Sequence, residues 1–191
     1  MTRVILIHAG PTPWDVEDRI VGNHPLPLTE LGLASVQGVV ANLPAGVTAV
    51  YRNRKNEACE QVAQLVAQRF RLKPHHTAAL DEVNLGLWQG LTRAELRFRH
   101  ARVEEQWREN PLAVHPPEGE RLEDAIERLG HALRTILRRN RGGTVVLALR
   151  PMAMQIALGL LQHEDAATIA AHLRNSSPVE TIELADEHQH L

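Results

Sequence analysis

Unbroken apolar runs alternate along this chain with stretches in which apolar residues return every three or four positions. Val4–Ile7 and Thr144–Leu149 are continuous and rich in β-branched residues, which predicts strands covered on both faces. Thr48–Tyr51 predicts another strand, His76–Leu80 an edge strand, and Val179–Leu184, which alternates apolar with polar, a last one. Helical spacing starts after Thr29, a plausible N-cap, runs through Leu31, Val36, Val40 and Leu43, and is stopped by Pro44 and Gly46. It returns over Asn56–Phe70, and most clearly from Leu122 through Ala125, Ile126, Leu129, Leu133, Ile136 and Leu137. Met152–Leu161 and Ala166–Leu173 predict two shorter helices, and the tail from Ala185 is expected to fray.

Strands that alternate with helices, two of them buried on both faces, predict an α/β fold: a three-layer α/β/α sandwich on a mostly parallel sheet. No repeat, linker or low-complexity tract divides the chain, so residues 1–191 are expected to form one domain. Thr92–Asn110 is charge-dense, with Leu96, Phe98, Val103 and Trp107 interspersed. It reads as a helical excursion, within a short insertion at about 92–115, that covers the mouth of a site.

The totals change this picture little. The chain has 191 residues and a formal net charge of −2, which leaves no electrostatic footprint for nucleic acid or an anionic membrane. No apolar run approaches the length of a membrane span, and four apolar residues before His8 are too few for a signal-peptide core. The single Cys59 excludes an internal disulfide and fits a reducing compartment, so a cytoplasmic location is expected.

Candidate chemistry gathers where the first strand ends. His8-Ala9-Gly10-Pro11-Thr12 must be a loop, and open α/β sheets bind ligands beyond the carboxyl ends of their strands. The stretch resembles the opening of the histidine phosphatase (phosphoglycerate mutase-like) superfamily, a buried strand followed by Arg-His-Gly-x-Thr-x-Trp-Asn. Gly10, Thr12 and Trp14 match. The Arg falls on His8, the nucleophilic His on Ala9 and the Asn on Asp15. RIVGNHPLPLTELG, from Arg19, is similar to the family's Arg-Ile-x-Gly loop and its Pro-Leu-Thr-x-x-Gly helix start. LDEVNLGLWQGL, from Leu80, is similar to its Leu-x-Glu-x-x-x-Gly-x-Trp-Glu-Gly, and puts Glu82 on the acid-base carboxylate. The family's second phosphate-binding Arg falls on Glu57, and its second His on Arg150.

The resemblance implies five catalytic positions, held here by His8, Ala9, Glu57, Glu82 and Arg150, of which only Glu82 has the expected chemistry. Loss of a nucleophile costs on the order of 10⁴ to 10⁶ in rate. A carboxylate at 57, about 5 Å from a phosphate at an effective dielectric near 20, opposes each unit of its charge by roughly 3 kcal/mol. The leading expectation is therefore a catalytically inactive relative with a binding or regulatory role, in which Glu57 and Arg150 pair and fill the pocket with protein charge. The alternative is a phosphomonoester hydrolase with a rewired site, His8 as nucleophile and Glu82 as acid. A third reading is a structural subunit. His8, Asp15, Glu57 and Glu82 match no metal-binding spacing, and neither a metal nor a cofactor is expected. The partner is expected to be a protein or small molecule of unknown identity, with no nucleic acid and no membrane, and a homodimer is compatible with the sequence.

Overall fold

The computed structural model describes residues 1–173 and, as backbone, the strand at 179–184. Five strands form one sheet: β1 (Thr2–His8), β2 (Val47–Arg52), β3 (His75–His76), β4 (Thr144–Leu149) and β5 (Val179–Leu184), in the order β3-β2-β4-β1-β5. Only β5 runs antiparallel, on β1. The helices are α1 (Pro13–Val16), α2 (Glu30–Ala41), α3 (Glu57–Phe70), α4 (Arg93–Glu109), α5 (Leu122–Arg139), α6 (Pro151–Leu161) and α7 (Ala166–His172).

The pleat of the central strands divides the core into two. Val4 and Leu6 of β1, with Val145, Leu147 and Leu149 of β4, join the apolar faces of α5, α6 and α7. Ile5 and Ile7, with Val146 and Ala148, join α2 and α3 on the other side. Successive side chains of a strand point to opposite faces, so an unbroken apolar run is what a sheet covered on both sides requires. Ile5, Leu6, Ile7 and Leu147 are fully buried, each worth roughly 1.5–3 kcal/mol relative to exposure.

Two predicted elements differ. His76–Leu80 is not a strand: β3 is a single pair of residues, and Ala78–Leu80 turns into a 3₁₀ helix. The Thr77 hydroxyl accepts from Ala79 N–H and the Thr77 carbonyl from Leu80 N–H, which closes the turn. The short helix α1 was not expected. It begins with Pro13, whose fixed φ suits a first helical turn. The tail from Ala185 lies outside the described residues.

What matters for the site is the register. β1 and β4 are parallel neighbours with His8 opposite Leu149, so His8 and Arg150 emerge side by side at the carboxyl end of the sheet. The turn at Leu85–Leu91 packs on the loop after α1. Gly90 N–H donates to the Ile20 carbonyl, Ile20 N–H to the Leu91 carbonyl, and Asn23 N–H to the Gln89 side chain. Gly90, at φ +85, lies flat against the Trp14 ring, which stacks on His24 at 4.5 Å.

Candidate functional site

A cavity of about 580 Å³ opens above the ends of β1 and β4. The sheet contributes His8 and Arg150 to its floor, and Asp15 and Glu82 come in from the loops that follow β1 and precede α4. Arg93, Leu96 and Trp107 of α4 line it from the other side, with Trp107 edge-on to Trp88 at 5.4 Å. The excursion read from the sequence at 92–110 thus does border the site. Its helix is broken by non-helical torsions at His100 (φ −140, ψ 46).

Arg150 is the centre of the polar network. It is 1% exposed; both terminal nitrogens find acceptors, while its Nε is buried without a hydrogen-bond partner. Its Nη1 donates to the Gly10 carbonyl at 2.8 Å, and its Nη2 donates to both carboxylate oxygens of Asp15 at 2.9 Å. Asp15 also accepts from Thr12 twice at 2.7 Å, from the backbone N–H and from the hydroxyl. The Asp15 carboxylate therefore sits in a cradle of three donor groups. Burial alone would raise its pKa; Arg150 and the two Thr12 donors outweigh burial and hold it below the usual carboxylate range.

The expected Glu57–Arg150 pair does not form. β2 and β4 are neighbours, so the two residues do follow adjacent strands, but Glu57 is the first residue of α3 and exposed. A carboxylate in a helix's first turn is favoured by the N-terminal partial charge and needs no partner in the cavity. Arg150 turns to Asp15 instead. Glu57 is not among the cavity residues, and the negative charge nearest Arg150 comes from Asp15.

Glu82 is 4% exposed and fully engaged with backbone. It accepts from Val83 N–H at 2.7 Å and from the N–H groups of Met152 and Ala153 at 2.9 Å. The N-cap of α6 is Arg150, whose side chain has no acceptor, so the free N–H groups of that first turn have no local partner. Glu82 caps the helix from 70 residues away. Burial pushes its pKa up, against the Val83 N–H, Arg150 and the two helix N–H groups.

His8 lines the cavity, but its Nε2 is buried and without a hydrogen-bond partner. Burial first, and Arg150 second, push its pKa down to about 4 against the pull of Asp15, so the ring is neutral at pH 7. Ala9 is fully buried in the core between the sheet and α2–α3, with its N–H given to the Leu149 carbonyl. Of the four residues weighed as a metal set, His8, Asp15 and Glu82 border the cavity and Glu57 does not.

Two further arginines border the cavity: Arg19, which opens the Arg-Ile-x-Gly-like loop, and Arg93, which no sequence motif singles out. Arg19 pairs with Glu17 at 2.6 Å, and Arg93 with Asp18 at 3.2 Å. Each arginine that borders the cavity is thus matched to a carboxylate within hydrogen-bond range. The rest of the wall is largely apolar, including Ile20, Leu85, Met152 and Leu173. Thr12 matched the motif, but its role was missed. The signal was present in Thr12-Pro13-Trp14-Asp15: a Thr followed three residues later by an acid, with Pro between, is a helix-start pattern that folds the acid back on the Thr.

Comparisons with known proteins agree with this architecture. The family model described as the histidine phosphatase superfamily (branch 1) matches residues 4–191. The probable phosphoglycerate mutase GpmB of Proteus mirabilis is 30% identical over 142 residues, which is 72% of this chain and 64% of that protein. The chain thus spans just under two thirds of that curated relative. Among solved structures, YhfR of Bacillus stearothermophilus superimposes with a TM-score of 0.86 at 24% identity, over 97% of this chain and 93% of that one. A phosphoserine phosphatase mutant from Entamoeba histolytica, with alanine in place of a histidine and in complex with phosphoserine, superimposes with a TM-score of 0.83 at 18% identity. It covers 98% of this chain and 93% of that one.

Proposed function

This chain belongs to branch 1 of the histidine phosphatase superfamily, and from that premise we propose that it is a catalytically inactive member whose cavity binds a small molecule rather than transferring phosphate. The observation that carries the reading is the fate of the groups at the family's reacting positions. The place of the nucleophile holds Ala9, packed in the core with no reactive atom. The carboxylate at the acid position spends all its hydrogen bonds on backbone, two of them to α6. His8, the one imidazole at hand, has its Nε2 enclosed without a hydrogen-bond partner, and a nucleophile must reach its substrate.

The cavity itself is retained, and its size falls in the range of small-molecule sites. Its apolar walls and matched charges suit an uncharged or weakly polar ligand better than a phosphate ester. A dianion entering it would find every bordering arginine already paired. Binding without turnover is physically coherent in this fold: the phosphoserine phosphatase mutant cited above holds phosphoserine with alanine in place of a histidine.

The test is to trap the covalent step. The purified protein is incubated with excess aryl phosphate, quenched with denaturant at alkaline pH, where a phosphohistidine P–N bond survives, and weighed intact. No phosphoryl adduct is expected on the wild type. A stoichiometric adduct that disappears in His8→Ala would overturn the proposal and make His8 the nucleophile.

A further inference from the structure

We propose that Asp15 is a built-in anion that occupies the cavity's one anion-binding cradle among the described residues, and that its carboxylate decides which ligands the protein rejects. The inference rests on the reading of the cavity as a binding site and names the residue that sets its selectivity.

The geometry is that of an anion site with the anion supplied by the chain. Oδ2 of Asp15 receives Thr12 N–H, the Thr12 hydroxyl and Arg150 Nη2, and Oδ1 receives Nη2 as well, all at 2.7–2.9 Å. A backbone N–H, a hydroxyl and a guanidinium converging within 3 Å are the donor types that hold small oxyanions. Thr12 is fully buried and Arg150 is 1% exposed, so these donors are fixed in place and shielded from water. Side-chain exposure is 29% at Asp15 against 1% at Arg150, so the carboxylate is the more exposed member of the pair, and both residues border the cavity. Chain topology keeps the plug close. Pro13 starts α1 directly after Thr12, so Asp15 comes round one helical turn onto the Thr12 N–H.

Two consequences follow. An anionic ligand that takes the Thr12 donors and Arg150 Nη2 must displace Asp15, and it must approach a negative charge to do so. Like charges brought together at an interface cost several kcal/mol, which is more than tenfold in affinity. Removal of the Asp15 side chain should leave a carboxylate-sized hole lined by three unmatched donors, which is a site for inorganic phosphate.

The experiment titrates inorganic phosphate into the wild type, Asp15→Ala and Asp15→Ala/Arg150→Gln, at constant ionic strength set with chloride. Binding heat and melting temperature are both followed. The expected result is that Asp15→Ala binds phosphate at least tenfold more tightly than the wild type and melts higher as phosphate is added, because ligand binding to the folded state stabilises it. The Arg150→Gln change should abolish the gain. Asp15→Ser, whose hydroxyl can still accept from Thr12 N–H, stands in if Asp15→Ala folds poorly, and should show the same direction. Equal phosphate affinity in wild type and single variant would overturn the inference, as would a folded variant that gains none. The readout is binding, so it is separable from the covalent trap: phosphate binding to the wild type as tightly as to Asp15→Ala, without an adduct, contradicts this inference alone, whereas an adduct contradicts the proposed function.

Discussion

Acidification should destabilise this protein through His8. In the folded chain burial, helped by Arg150, lowers the His8 pKa from 6.5 to about 4. Between those values the unfolded chain binds a proton that the folded chain refuses, and stability rises with pH wherever the unfolded state holds more protons. The contribution of His8 is therefore complete above the unfolded pKa, falls as pH drops through it, and is exhausted below about 4. One unit of pKa difference corresponds to about 1.4 kcal/mol, so the loss between pH 7 and pH 5 comes to about 2 kcal/mol. Glu82 acts in the opposite sense: its raised pKa lets the folded state take up a proton first, which offsets part of the loss on acidification. Asp15, held low, loses its stabilising contribution only below the unfolded carboxylate range, under this window.

The assay must therefore compare wild type with His8→Gln, which cannot titrate, so that Glu82 cancels. Urea unfolding at pH 7, 6 and 5 gives the midpoint and the slope for each protein. With a slope of about 2 kcal/mol/M, the His8-dependent loss appears as a midpoint shift of about 1 M between the extremes for wild type beyond that of the variant. Parallel pH profiles for the two proteins would refute the reasoning, because they would mean that His8 is protonated as readily in the fold as out of it.

Glu82→Gln should cost about 1–3 kcal/mol in urea unfolding, because with the amide oxygen in place of Oε1 the NH₂ would face the Met152 N–H and leave that donor of the α6 cap unmatched; a cost below about 0.5 kcal/mol would remove the capping role. Gly86→Ala should yield little soluble protein or a steep fall in melting temperature. Gly86 has φ +52, and a Cβ there would stand 2.0 Å from the Pro117 carbonyl oxygen and 2.5 Å from the Gly119 nitrogen, both backbone atoms that cannot turn aside. A melting temperature within a few degrees of wild type would contradict that.

The sheet was legible in the sequence because its central strands are buried on both faces. Val4–Ile7 and Thr144–Leu149 carry no polar residue after Thr144, and no helix of that length would need to be apolar all round. The edge was not legible, since His75-His76 has neither alternation nor an apolar run, and Thr77 hydrogen-bonds locally instead of pairing. At the site, His8, Asp15, Glu82 and Arg150 border one cavity, but the expected Glu57–Arg150 pair does not form. Arg150 and Glu57 follow neighbouring strands, but strand adjacency fixes where a chain turns and not where a long side chain points. Arg150 had a carboxylate already folded toward it by the Thr12–Asp15 turn, and Glu57 had a helix N-terminus to sit on. The capping role of Glu82 could not be found locally, since two of its three N–H partners lie 70 and 71 residues away.

Steady-state turnover decides whether this site transfers phosphate. Hydrolysis of a generic aryl phosphate by the purified protein is measured across pH 5 to 8 beside His8→Ala. No turnover by the wild type above that of the variant is expected at any pH. Turnover that His8→Ala abolishes would contradict the proposed inactivity, and would make His8 the group that attacks phosphorus.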